Sequence, residues 1–485
     1  MKTTLRLIAF LIFSAFIFQS CSDDDNTSKV PDDIRVQNFV WKGMNLYYLW
    51  QADVPDLSDD RFNNQSELNE FLTLYPNPTE LFNHLRVEPT IDRFSAIFSD
   101  YTVLEGIISG TTKNNGVDYQ LLLKTTGGTE VFGWVRYILP NSDASTKDIQ
   151  RGDIFYGING TPLTTSNYQS LLANETYTLN LADYNNGAIT PNGQSVTLTK
   201  SEYSENPVLI SSVINSGSHK IGYLVYNGFY TGYESQLNAA FGQLKSQNIT
   251  DLVLDLRYNS GGSVATATRL ASMITGQFNG QLFAKEQWNA KAQAYFEENN
   301  PDDIKNNFTN KIGNGAGINS LNLSRVYVLT TKSTASASEL VINGLEPYIN
   351  VVQIGDFTTG KNVGSITLYD SEDFGKSGRS NKHKYAMQPI VLKIANKDGF
   401  ADYLSGLRPD TRQIENLGNL GILGNESEPL LSTAIRQITG TGRQIPQTQT
   451  KVFEHFKDSK SINNLQNQMY LDEVPNGLMS ILKEF

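Results

Sequence analysis

The chain has 485 residues, enough for about three domains at roughly 150 residues each. Hydrophobic residues make up 39% and charged residues 18%, so it can bury a core, and its net charge of −11 argues against a nucleic-acid partner, which needs a basic surface. Cys21 is the single cysteine, which excludes a disulfide framework or a thiolate metal cage within one chain, and His84, His219, His383 and His455 form no H-x-x-x-H pair.

Lys2 and Arg6 precede an apolar run from Leu7 to Phe18, broken only by Ser14 and followed by Ser20, Cys21, Ser22 and Asp23 to Asp25. A basic end, a short apolar segment and a small residue before the cut form a secretory signal. The run is shorter than the roughly 20 residues of a membrane span; an uncleaved N-terminal anchor is the competing reading. Phe18-Gln19-Ser20-Cys21 resembles a lipobox. The resemblance implies a signal peptide over 1–21 and a lipid on Cys21, hence membrane attachment in the cell envelope of a Gram-negative bacterium, periplasmic or at the outer-membrane surface. The acidic run resembles the surface-export signal of Bacteroidetes lipoproteins; otherwise 22–32 is a solvated linker.

Residues 33–102 read as helical. Phe39, Val40, Trp41, Met44, Tyr47, Tyr48 and Leu49 nearly fill helix faces, a pattern expected of core, with membrane contact or substrate guidance as alternatives. Over 103–203 the texture becomes β-rich, with strands at Tyr119–Leu123 and Val131–Ile138 punctuated by Gly and Asn. The stretch from Gly133 to Leu163, with Gly152-Asp153-Ile154 and Ile158-Asn159-Gly160, resembles the central part of a PDZ domain. Such domains take an extended peptide as an added strand, and Gly116 falls where the carboxylate-binding loop would lie. A β-rich spacer without ligand is the alternative.

From 207 to 440 strands and helices alternate. Strands are predicted at Lys220–Asn227, Leu252–Leu256, Val326–Thr330, Val351–Gly355 and Met387–Ala395, and helices at Ser235–Ser246, Val264–Ile274, Ser336–Tyr348 and Glu428–Ile438. Apolar strands alternating with helices argue for an α/β layer covered on both faces. Residues 441–485, polar and Gln-rich at first, form a tail without a readable role.

Three segments carry chemistry. Thr334-Ala335-Ser336-Ala337-Ser338-Glu339 follows a buried strand and opens a helix, where a serine hydroxyl meets the positive end of the helix dipole. Ser336-x-x-Glu339 is equally a capping box, an ordinary helix start. A nucleophilic serine needs a base, and no histidine or G-x-S-x-G elbow is at hand. Lys361, in Gly360-Lys361-Asn362-Val363-Gly364 after the next strand, serves if burial neutralises its amine. The strand–helix–strand path returns it to the same sheet edge. Asp255-Leu256-Arg257-Tyr258-Asn259-Ser260-Gly261-Gly262 closes another strand and can aim backbone N–H groups at an oxyanion.

In this order the three segments resemble the carboxyl-terminal processing, or tail-specific, serine peptidases. That family shows a D-L-R-x-N-x-G-G segment, an S-A-S-E helix start and a G-K loop about 25 residues on, and Gly406-Leu407-Arg408-Pro409-Asp410 is similar to its closing motif. The resemblance covers roughly 103–440, and the aromatic helical part resembles the leader domain of Bacteroidetes members. It implies a multi-domain α/β protein with an N-terminal helical domain, a PDZ-like β-rich domain and an α/β (crotonase/ClpP-like) serine protease core. It also implies Ser336 as nucleophile, Lys361 as general base, and Ala337 with Gly261 or Gly262 as oxyanion hole. Ser338 and Glu339 would fix the helix start, protein or peptide would be the substrate, and neither metal nor cofactor is implied. Where many members carry Gln four residues after the lysine this chain has Ser365. Where some carry Asp eleven residues after the serine it has Pro347, beside Glu346. The group that orients Lys361 is left open. Two other readings stand beside this one: a peptide-binding surface lipoprotein on an inactive protease fold, and a structural or glycan-associated envelope protein.

Overall fold

The computed structural model describes residues 30–441, 451–462 and 469–483; Cys21 and the signal segment lie outside them. Helix α1 (Arg35–Tyr47) is followed by α2 (Gln65–Thr73) and α3 (Pro78–His84). Asn64 and Asn77 start the last two by accepting bonds from the N–H groups of Glu67 and Thr79, satisfying donors that a helix start leaves open. The aromatic stripe is core: Phe39, Trp41, Met44, Tyr47 and Tyr48 are buried, in one hydrophobic cluster with Leu254, Leu340 and Leu392 far along the chain. The helical region and the α/β part therefore share an interior.

Strands β1 (Val117–Leu123), β2 (Val131–Ile138), β3 (Ile154–Ile158), β4 (Thr176–Asn185) and β5 (Ala188–Thr199) form an antiparallel sheet in that order. A short helix, α4 (Tyr168–Ala173), packs against it around a separate core containing Leu121, Phe155 and Leu179. The α/β part contains β6 (Val208–Ser216), β7 (His219–Tyr226), α5 (Glu234–Ser246), β8 (Asp251–Asp255), β9 (Gly262–Ser263) and α6 (Val264–Thr275). It continues with β10 (Leu282–Trp288), β11 (Arg325–Thr330), α7 (Ala337–Leu345), β12 (Asn350–Gly355), β13 (Val363–Ser365), β14 (Ile390–Asn396), β15 (Thr411–Arg412) and α8 (Pro429–Thr439).

One sheet runs β6-β7-β8-β11-β12-β15, parallel except for the β6–β7 pair. All five residues of β8 are buried, as a strand covered on both faces requires. Helix α8 closes the outer face with Leu430, Leu431, Ala434 and Ile435 against Tyr223, Val253 and Leu329. A second sheet contains β9, β13, β14 and β10. Every residue of α7 is buried, and the helix packs against α6 and strands of both sheets. The tail is structured too. Strand β16 (Glu454–Asp458) adds to the free edge of β1, and β17 (Met469–Tyr470) inserts between β9 and β13.

Two predicted elements are corrected. The strand expected over Met387–Ala395 is two, Ala386–Gln388 and β14, in different sheets. Pro389 separates them, lacking the N–H a continuous ladder needs. The helix expected to reach Tyr348 stops at Leu345, with Glu346 as its C-cap and Pro347 next, which has no N–H to extend the bonding.

Candidate active site

Strands β8, β11 and β12 end side by side, and the loops leaving them carry the three singled-out segments. Asn259 locks the first to the second. Its carbonyl accepts from the Ala335 N–H at 3.1 Å and from Ser338 Oγ at 3.1 Å, and its Nδ2 donates to the Tyr226 carbonyl at 2.8 Å. Thr334 Oγ1 donates to the Leu256 carbonyl at 2.9 Å. The Thr359 N–H reaches the Thr334 carbonyl at 2.9 Å, tying in the third segment.

Glu339 joins the second and third segments more tightly. Its Oε2 accepts from the N–H groups of Ser336 at 2.7 Å and Lys361 at 2.9 Å. Its Oε1 accepts from the Gly360 N–H at 2.7 Å and Thr358 Oγ1 at 2.5 Å. Burial raises its pKa while these donors pull it back. One carboxylate thus holds the main chain of both dyad candidates.

Ser336 is the N-cap of α7, and of a capping box only the half from its own N–H to Glu339 Oε2 is made. Its Oγ is buried yet makes no hydrogen bond. The hydroxyl is therefore not spent on the helix start. Its backbone is at φ 65°, ψ −115°, a conformation that costs a non-glycine residue on the order of 1–3 kcal/mol. Ala337 opens the helix, where an N–H has no intrahelical acceptor.

Lys361 is 1% exposed, and its Nζ lies 4.5 Å from the Phe94 ring centroid. Burial pushes its pKa down to about 7, against the opposing pull of Asp92 and Glu339, while Arg93 adds to the lowering. The surroundings come from the N-terminal region: Arg93 Nη2 donates to the Gly360 carbonyl at 2.8 Å, and Asp92 is fixed by Tyr48 Oη at 2.8 Å. Oγ of Ser336 and Nζ of Lys361 are not hydrogen-bonded to each other, and catalytic contacts commonly tighten only with substrate.

Other singled-out residues fall as follows. The Gly261 N–H donates to Asn259 Oδ1 at 2.9 Å and is used up within its own turn. Gly262, at φ 142°, has its Cα facing the Phe229 carbonyl so closely that a Cβ would meet that oxygen at 2.4 Å. Gly116, at φ 91°, donates its N–H to Asn114 Oδ1 at 2.9 Å, so this N–H is not free for a peptide carboxylate. Ser365 Oγ donates to the Met469 carbonyl at 3.2 Å and accepts from Gln388 Nε2 at 3.1 Å. Glu346 is exposed at the far end of α7. Among the described residues no cluster of His, Cys, Asp and Glu could hold a metal ion.

Sequence reasoning missed Asp92, Arg93 and Phe94, which carry no local signal. It quoted Arg257 but not its role: the buried guanidinium pairs with Asp255, Glu415 and Glu428. Glu415 in turn accepts from Arg151 of the β-rich region at 2.8 Å, so this network braces the Asn259 turn against two other parts of the chain.

The layered α/β core thus places a serine at a helix start and a buried lysine on the loop after the next strand. Residues 220–374 match the profile described as Peptidase family S41, and residues 35–96 that of the Peptidase S41 N-terminal domain. These two stretches of the chain carry the domains of peptidase family S41. It is 28% identical over 231 residues to a carboxyl-terminal-processing peptidase 2, chloroplastic, of Arabidopsis thaliana, covering 46% of this chain and 40% of that protein. It is 22% identical over 304 residues to a C-terminal processing peptidase, chloroplastic, of Tetradesmus obliquus, covering 60% of each. The chain thus spans about half the length of these curated relatives. A candidate S41 protease from Bacteroides fragilis NCTC 9343 superposes with a TM-score of 0.63 at 27% identity, over 83% of this chain and 97% of that one.

Two stability measurements check the site. Ser336→Gly relieves the backbone strain that Ser336→Ala keeps, so the glycine variant should be more stable by about 1 kcal/mol in denaturant titrations. Lys361 has a folded pKa near 7 against an unfolded value near 10.5. Burying the amine therefore costs stability: the penalty is complete below pH 7, where the folded chain must hold the charge, and fades as pH rises toward the unfolded value, a range in which folding expels the proton. Lys361→Met should melt higher than the parent at pH 7, with the gain shrinking by pH 10.

Proposed function

We propose that the chain is a serine endopeptidase that cuts protein substrates through a Ser336–Lys361 dyad. The observation that carries this reading is the pairing of a buried, unbonded Ser336 Oγ with a buried lysine whose pKa is near 7, their main chains held on one Glu339 oxygen. Neutral Lys361 takes the proton from Ser336 as Oγ attacks the scissile carbonyl. The Ala337 N–H, with Gly262, stabilises the oxyanion. The amine leaves with the proton carried by Lys361, and water then releases the acyl group from Ser336. The β-rich domain takes an extended segment of substrate by strand addition. Cys21 carries the lipid that anchors the protein in the cell envelope.

The test is cleavage of casein by the purified chain without residues 1–21, beside Ser336→Ala and Lys361→Ala. We expect cleavage by the parent and a loss of at least about a thousandfold in either variant. The kcat/KM profile should rise with an apparent pKa near 7, because the base works only unprotonated, falling about tenfold per pH unit below that. Activity should persist in EDTA. Cleavage surviving both substitutions would refute the dyad, and an inactive parent across alkaline pH would favour a peptide-binding protein on this fold.

A further inference from the structure

Strand β16 lies antiparallel on the outer edge of β1, with Glu454 opposite Leu123, His455 opposite Leu122, Lys457 opposite Leu121 and Asp458 opposite Gln120. Phe456 is the extra residue of a bulge in this ladder. Its half-buried ring packs against the cluster between β1 and α4, 5.0 Å from the Tyr168 ring. A sheet edge flanked by a helix is where a peptide adds as a strand: the ladder supplies affinity, and pockets for alternate side chains supply specificity. Here that place is filled by the chain's own tail. The segment is a poor core strand. Glu454 and His455 are exposed and nothing in it is fully buried, whereas seven of the eight residues of β2 are. It holds on by the Phe456 anchor, with Phe453 just ahead of it 4.8 Å from the Phe132 ring, a bulged ladder, the Glu454 carboxylate on the Gly127 N–H at 3.1 Å and the charge of Asp458.

That charge points at the catalytic loops. The Asp458 carboxylate pairs with the buried Arg136, which lowers its pKa although burial alone would raise it. Arg136 also donates to Ser333 Oγ at 2.5 Å, three residues before Ser336. His455 and Asp458 form one wall of a cleft of about 350 Å³ whose other walls include Lys332, Thr358 and Thr359. These flank the segments that carry Ser336 and Lys361. The tail strand thus occupies the peptide-binding edge and borders the approach to the site.

We propose that residues 454–458 are a tethered ligand: the tail fills the peptide groove of the β-rich domain, and a substrate must displace it. The displacing segment is an extended peptide of the same pattern, an aromatic anchor two residues ahead of a carboxylate that takes over Arg136. This rests on the peptide-binding reading of that domain. A tethered strand competes at an effective concentration on the order of millimolar, so weak free peptides are excluded and well-matched ones enter.

The test uses the full chain carrying Ser336→Ala, so that cleavage does not intervene. The probe is a fluorescein-labelled synthetic peptide of residues 451–462, read by anisotropy. Adding Phe456→Ala and Asp458→Asn to the tail should tighten peptide binding by about tenfold or more. Asp458→Asn alone, a nearly isosteric change, should give an intermediate gain and decides the matter if the double change does not fold. In the catalytically intact chain the same tail changes should raise casein cleavage, and the free peptide should inhibit it. Equal affinity of parent and folded tail variants for the peptide, or no binding to any of them, overturns the proposal. Tighter binding to the tail variants together with no casein cleavage by any intact chain would uphold the tethered ligand and reject the peptidase reading.

Discussion

The site depends on one buried carboxylate. Glu339 has no counter-ion among its four donors; it is held by three main-chain N–H groups and one hydroxyl. A buried carboxylate without such partners would cost several kcal/mol. Its need for donors therefore fixes where the loop from Thr358 to Lys361 lies relative to the start of α7. Ser336 pays for this with a left-handed backbone conformation that a serine does not favour. Strain of this kind survives only where the surroundings over-determine it, and here Asn259, Glu339 and the buried helix do so together.

Lys361 shows how burial tunes a basic group, with Arg93 adding a smaller push in the same direction. Its amine is enclosed by protein and faces an aromatic ring, so the charged form loses more in hydration than the ring and the Asp92 and Glu339 carboxylates return. The enclosing residues, Asp92 to Phe94, belong to the N-terminal region. That region therefore sets the proton affinity of the Lys361 amine as well as completing the core. Arg257 plays the corresponding mechanical part on the other side, where its three carboxylate partners come from the turn itself and from the segment after β15.

Much of this was legible in the sequence because it is local. Apolar runs gave β8 and β11, helical spacing gave α5 to α8, and the serine, lysine and glycine segments could be quoted directly. What stayed hidden is either non-local or a matter of bond direction. Phe94 meets Lys361 across more than 250 residues, and nothing near Phe94 hints at it. That the Gly261 N–H is consumed by Asn259 had a usable signal, since an Asn two residues ahead commonly bonds back in this way. Pro389 likewise announced the break between two strands. The tail was opaque because β16 is polar apart from Phe456, and its partner strand is some 330 residues upstream.

The shared interior has a consequence for how the molecule comes into being. Phe39 and Trp41 near the start of the described chain, and Met469, Leu478 and Leu482 near its close, are buried in the same cluster. The core therefore cannot be completed until almost all of the polypeptide is present. Contacts so distant in sequence carry a loop-closure cost that slows folding. An emerging chain presents the aromatic face of α1 long before its partners exist, a state prone to association. The arrangement also delays the assembly of a working site, because the residues around Lys361 are held in place only once that interior has closed.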